Sequence, residues 1–188
     1  MNKTKKSIFD SAIKIFSKSG YNGATMDEIA LEAGVAKGTL YYHFKSKEEI
    51  FRFIINEGLG ILADKVNYVD KNENPIENLK NICRAQLAAL YENKDFFKVL
   101  LSQLWGQEIR QLELRQQLRK YVDRIELYIK DAIKMGYIRE GNANFMAYAF
   151  FGSLLSVAVY EVINIDHINL DEIVDNLVLY NLKGLEKR

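Results

Sequence analysis

The chain has 188 residues, 48% hydrophobic and 27% charged, an ordinary globular composition that excludes disorder along the whole length. Lys plus Arg number 26 and Asp plus Glu 25, so the net charge is +1 and any basic surface must be local. One proline and 11 glycines argue against a turn-rich all-β fold and point to an all-α chain.

Helical periodicity begins at once. Ile8, Ala12, Ile15 and Phe16 form one apolar stripe, which Gly20 should end. Thr25-Met-Asp-Glu28 is a capping box that opens a short second helix, about 26–33, stopped by Gly34. A third short helix covers about 37–44. Ser46-Lys-Glu-Glu49 is a second capping box and opens a longer fourth helix with Ile50, Phe51, Ile54, Ile55, Leu59 and Leu62 on one face. Residues 68–74 are polar and read as a loop. Asn74-Pro75-Ile76-Glu77 combines an N-cap, a proline in the first turn and a capping glutamate, and predicts a fifth helix to about residue 92. A sixth covers about 95–105, with a break near Gly106. A long seventh carries Leu118, Val122, Ile125, Ile129 and Ala132 and stops at Gly136. The eighth, about 144–163, is apolar nearly all round, and Asn169-Leu-Asp-Glu172 caps a ninth ending near Gly184. About nine helices result, with no internal repeat.

The N-terminus is basic but has no apolar core of a secretory signal, so a cytoplasmic home is expected. The apolar run Phe145–Tyr160 has 16 residues, short of the ~20 that span a bilayer, so no membrane association is expected. The single cysteine, Cys83, excludes an intramolecular disulfide and a cysteine-cluster metal site. Beside Leu79 and Ile82 it reads as a buried thiol rather than a redox switch.

The stretch Thr25–Phe44 carries the function. Two short helices joined by a turn containing Gly34 make a helix-turn-helix. Ile29, Val35 and Leu40 should plug the space between them. On a helical wheel Ala36, Leu40 and Phe44 face inward. Gly38, Thr39, Tyr41 and Tyr42 face outward or sideways, flanked by Lys37 and His43. That outer face has no large aliphatic residue. Its hydroxyls and ammonium groups can reach base edges and phosphates, and Gly38 lets a backbone approach. A recognition helix in a major groove accounts for it. Residues 1–50 carry eight Lys against six acidic residues, whereas the remainder is slightly acidic.

These residues resemble the TetR family of bacterial transcriptional regulators. The resemblance is carried by Ala12, Phe16, Gly20-Tyr21, Thr25 and Ile29-Ala30, then Gly34-Val35, the run Lys37-Gly38-Thr39-Leu40-Tyr41-Tyr42-His43-Phe44, and Lys47-Glu48-Glu49. It covers about residues 5–55. It implies a helix-turn-helix domain at 1–47 and a helical ligand-binding and dimerisation domain at 48–188. It also implies roles: Thr25 caps helix two and touches phosphate; Lys37, Gly38, Thr39 and Tyr41 meet the major groove; Tyr42, His43 and Lys47 hold the backbone of double-stranded operator DNA. Ala36 departs from the pattern, which often has a serine cap there; the missing bond costs ~1 kcal/mol unless Thr39 or water compensates. Lys3, Lys5 and Lys6 read equally as a phosphate-binding arm or a solvated terminus.

The same resemblance implies a homodimer through the last two helices, for which Gly152, Ser156, Val174, Leu177 and Val178 are the candidate interface residues, and a pseudo-palindromic operator. It implies a pocket for an unidentified small molecule within helices four to eight. Phe97, Trp105, Tyr121, Tyr128 and Phe150 are the candidate lining residues, with Trp105 foremost, although aromatics at helical spacing also make ordinary core. The expected activity is a ligand-responsive DNA-binding regulator, a repressor released from its operator by ligand. The alternative is a helical ligand-binding protein or enzyme that has lost DNA binding. Enzyme chemistry finds no support: two histidines lie far apart, and the chain lacks a metalloprotease motif, a phosphate loop and a nucleophile elbow. No catalytic residue, metal ligand or cofactor is expected.

Overall fold

The computed structural model describes residues 1–67, 74–163 and 170–183. Among them the chain forms nine helices: α1 Lys3–Gly23, α2 Met26–Glu32, α3 Lys37–His43, α4 Lys47–Asn67, α5 Pro75–Glu92, α6 Lys94–Ser102, α7 Ile109–Lys134, α8 Ala143–Ile163 and α9 Leu170–Lys183. Residues 68–73 of the expected loop 68–74, the Asn169 cap and the Gly184 stop lie outside the described residues. No described helix is long and apolar enough to cross a membrane.

Helix boundaries follow the local chemistry. Gly20 has φ +70°, so regular α1 ends there and Tyr21–Gly23 add a separate turn. The α2 box closes both ways: the Glu28 N–H donates to Thr25 Oγ1 (3.2 Å) and the Thr25 N–H to Glu28 Oε2 (2.8 Å). Gly34, at φ +65°, ends α2 in a Schellman turn: the Val35 N–H donates to the Ala30 carbonyl and the Gly34 N–H to that of Leu31. The α4 box differs from expectation. Ser46 Oγ accepts from the Glu49 N–H, but the Glu49 carboxylate takes the N–H of Lys45, one residue further back. Helix α6 stops at Ser102, earlier than expected. The α6–α7 turn is held from α7, where Arg115 Nη1 donates to the Leu104 (2.9 Å) and Gly106 (2.7 Å) carbonyls.

The residues group into two compact units. The first comprises Met1–Gly60 and Asn93–Leu118, so it is larger than the helix-turn-helix segment 1–47. Its core joins Ile8, Ala12 and Phe16 of α1 to Ile29 of α2, Leu40 of α3, and Ile50, Phe51 and Ile54 of α4. Phe16, Tyr21 and Phe51 form an aromatic triad with ring centres 5.5–6.2 Å apart. Helix α6 packs along α1, and the Ser17 hydroxyl donates to Asp95. Gly58 is required by close approach: a Cβ there would stand 2.3 Å from the Phe96 ring.

The second unit comprises Ile61–Glu92 and Arg119–Arg188. In it α5 packs on α9 and α8, and α8 on α9. The α7 stripe Val122, Ile125, Ile129 and Ala132 is buried, as its spacing implied. The Gln86 side-chain amide donates to the Tyr121 hydroxyl in the interior. Cys83 is buried, and burial pushes its thiol from near 9 up to about 12. The described residues contain no group of three or more potential metal ligands.

Two stability tests follow. Ala36 caps α3 with no side-chain hydrogen bond, so Ala36→Ser should raise stability by ~1 kcal/mol in urea denaturation. For Cys83 the unfolded thiol ionises near pH 9 while the folded one stays protonated to about 12. The unfolded chain therefore binds fewer protons in that window, and stability falls as pH rises through it. The stability advantage of the native chain over Cys83→Ala should shrink above pH 9 and stay constant below.

Candidate nucleic-acid interface

Leu40 is the one fully buried residue of α3, and Phe44, at its C-cap, is 5% exposed. They seat the helix with one side inward. Ala36, expected inward, is exposed, because the N-cap residue is extended (ψ 145°) and lies off the helical wheel. The outward side matches expectation. Gly38 is exposed with open space where a side chain would stand, Tyr42 is 78% exposed, Tyr41 is exposed, and Thr39 and His43 are half-buried. The His43 ring meets the Tyr42 ring edge-on at 5.2 Å.

Charged groups border this face, several already engaged within the chain. Lys37 pairs with Asp27 at 2.8 Å, and that hydrogen bond raises its pKa. Lys45 Nζ donates to the Tyr41 carbonyl (2.9 Å). The Thr25 hydroxyl also donates to Glu28, which holds the Glu28 carboxyl below its usual range; meeting a phosphate requires that hydroxyl to turn. Lys47 Nζ donates to the carbonyls of Ala24 (2.7 Å) and Asn22 (3.3 Å), leaving one of three N–H bonds for a phosphate.

Lys47 also lies over the Tyr21 ring, 4.7 Å from its centre. Arg110, in the first turn of α7, lies over the same ring at 3.9 Å. Burial lowers the Lys47 pKa first, and the nearby Arg110 charge second. Sequence reasoning found Lys47 and Tyr21 but missed Arg110, since no pattern within 5–55 points to a side chain some 60 residues away.

The remaining lysines behave differently from a free arm. Asn2 caps α1 by accepting the Lys5 N–H (2.8 Å), so Lys3, Lys5 and Lys6 form the first helical turn. Lys5 rests over the Phe44 and Phe53 rings, and Lys6 pairs with Asp10. Two contacts tie α1 to the helix-turn-helix: the Ser7 hydroxyl donates to the Ala33 carbonyl (2.8 Å), and Lys14 pairs with Glu32.

The candidate ligand residues are divided between the two units. Phe97 and Trp105 belong to the first unit; Tyr121, Tyr128 and Phe150 belong to the second. Trp105 is 84% exposed, in the turn after α6. Tyr121 and Phe150 are buried and Tyr128 is half-buried. Of the candidate interface residues, Gly152 and Ser156 are exposed, on a face of α8 shared by Phe145, Tyr148, Val159 and Tyr160. Leu177 is half-buried. Val174 is fully buried within its own chain, so it belongs to the core. The Val178 side chain lies outside the described residues.

The model for bacterial regulatory proteins of the tetR family matches residues 8–54. The Bacillus subtilis HTH-type transcriptional regulator YhgD is 32% identical over 187 residues, 96% of each chain. The chain also aligns with the B. subtilis regulator YerO at 30% identity, spanning 60% of that longer protein. A Clostridium perfringens protein named as a candidate fatty acid metabolism regulator is 45% identical, with TM-score 0.91 over 97% of this chain and all of that one. The B. subtilis regulator FadR, solved with stearoyl-CoA, shares the fold at 21% identity, with TM-score 0.86 over 96% of this chain and 99% of the other.

The Lys47 geometry has a consequence for stability. Replacing it by Met keeps the aliphatic stem over Tyr21 but leaves two carbonyls without their charged donor. Lys47→Met should lower stability by roughly 1 kcal/mol, the discounted worth of a half-exposed charged hydrogen bond. Thermal denaturation checks this.

Proposed function

Because the chain belongs to the TetR family of bacterial regulatory proteins, we propose that it is a homodimeric repressor that leaves its operator when it binds a fatty acyl thioester. The observation that carries DNA binding is the outer side of α3. It presents Gly38, Thr39, Tyr41 and Tyr42 with no large aliphatic side chain, while Leu40 anchors the helix from behind. Such a face suits a major groove. Lys37, Gly38, Thr39 and Tyr41 are assigned to the groove, and Thr25, Tyr42, His43 and Lys47 to phosphates. Residues 1–47 form the DNA-binding part, and 48–188 the ligand-binding and dimerisation part. The chain acts by binding rather than by catalysis, in the compartment that holds the DNA, the cytoplasm.

The dimer reading rests on α8. Phe145, Val159 and Tyr160 are 72%, 53% and 51% exposed, and Gly152 and Ser156 on the same face permit close helix approach. A stripe of this kind on a monomer is the mark of an interface. Leu179 and Tyr180 of α9 extend the exposed apolar surface. A two-fold dimer places two copies of α3 in successive major grooves ~34 Å apart and reads a pseudo-palindrome. The acyl-thioester reading comes from the relatives named above. The apolar second unit supports it, with the buried Gln86–Tyr121 pair as a polar anchor inside. A ligand releases DNA only through its differential affinity for the DNA-competent and incompetent states.

The test is operator binding followed by fluorescence anisotropy while stearoyl-CoA is added. Release by the thioester, and not by free coenzyme A, supports the reading. DNA affinity unchanged at saturating thioester contradicts its sensing half. Lys47→Ala should weaken binding to every sequence and reduce the salt slope by about 1, whereas Thr39→Ala should change the preferred sequence. If neither changes DNA binding, the alternative of a ligand-binding protein without DNA function gains.

A further inference from the structure

Arg110 has an unusual setting within the first unit. It is 8% exposed, one face of its guanidinium is covered by the Tyr21 ring, and its Nε is buried with no hydrogen-bond partner among the described residues. The carboxylate of Glu108 stands 3.9 Å away on a side chain that is 69% exposed, too far for a hydrogen bond. A buried cation so loosely neutralised is costly and calls for an acceptor.

Arg110 is also one of the residues that line a groove of about 270 Å³ between α4 and α7. Phe51, Ile55 and Leu114 line it with apolar surface; Asn56, Gln116 and Gln117 contribute amides. Arg52 and Glu113 also line it, but they pair with each other at 2.6 Å, so the acidic charge is already spent. Two guanidinium groups against one carboxylate leave the lining with a net positive charge.

We propose that this α4–α7 groove is a binding site for an anionic group, a phosphate or carboxylate, with Arg110 as its principal ligand. A guanidinium fork suits such planar or tetrahedral oxyanions better than a point charge does. The space exceeds that of a bare phosphate, so a short organic stem can lie on Phe51, Ile55 and Leu114. The site is joined to the DNA-facing surface by one side chain. Tyr21 lies against both Arg110 and Lys47, and an anion at Arg110 offsets the repulsion that Lys47 experiences from it. Occupancy therefore changes how firmly Lys47 is held. The inference stands apart from the acyl-thioester reading, because a free anion satisfies Arg110 as well as one carried on a larger ligand.

Titration calorimetry on the full chain in phosphate-free buffer tests this, with inorganic phosphate and stearoyl-CoA as probes. Arg110→Met should weaken binding of the phosphate-bearing probe about tenfold. Glu113→Gln frees Arg52 and should tighten it several-fold, a gain that a damaged fold cannot produce. Phosphate binding that persists in saturating stearoyl-CoA identifies a free anion as occupant; phosphate displaced by the thioester identifies the coenzyme A phosphates. Equal affinity of both probes for all three proteins, or no binding of either, overturns the proposal. Operator binding by the same preparations separates this failure from a failure of the regulator reading.

Discussion

A helix of seven residues cannot hold itself together in water, and α3 has only Leu40 fully buried to hold it. Its shape is therefore borrowed from its surroundings. Ile29 of α2, the Phe44 C-cap and the α1 stripe are buried in the same unit as Leu40, and α2 packs on both α1 and α3. Gly34 sets the angle at which α3 leaves α2, because the Schellman turn there needs a left-handed residue. Once the inner side is committed this way, the outer side is free to carry polar and aromatic groups with no role in the core. The division of one short helix into a structural side and a recognition side is what the proposed activity depends on.

The lysines around α3 show how electrostatics is shared between folding and binding. Lys37, Lys45 and Lys47 each have partners within the chain, so none is a bare charge awaiting DNA. Lys47 is the most constrained, tied to the end of α1 and pressed against Tyr21. A group pre-positioned in this way loses less conformational freedom on meeting a phosphate. Arg110 brings α7 to the same ring, which makes Tyr21 the meeting point of three helical segments of the first unit.

Much of this was legible in the sequence, for local physical reasons. Capping boxes, glycine stops and apolar spacing act over a few residues, so α1–α5 and α7 begin and end close to where the pattern places them. The exposed side of α3 followed from the same periodicity, except at Ala36, where the cap conformation breaks the wheel. Features that depend on long-range packing were not legible. Arg110 reaches Tyr21 across 89 positions of chain. Trp105 is aromatic but exposed, because α6 ends before it, and Val174 turned out to serve its own core. A side chain's class sets its periodicity, but only the fold decides which surface it meets.

The central claim is that two copies of α3, held by the α8 and α9 faces, read two half-sites on one side of a duplex. Footprinting on DNA upstream of the protein's own gene, across a salt series, tests it most directly. The account predicts a protected region with two-fold symmetry, half-sites about one helical turn apart, and steep loss of protection as salt rises. No protection at low salt by a folded dimer, there or on a site sought by random-sequence selection, would contradict it.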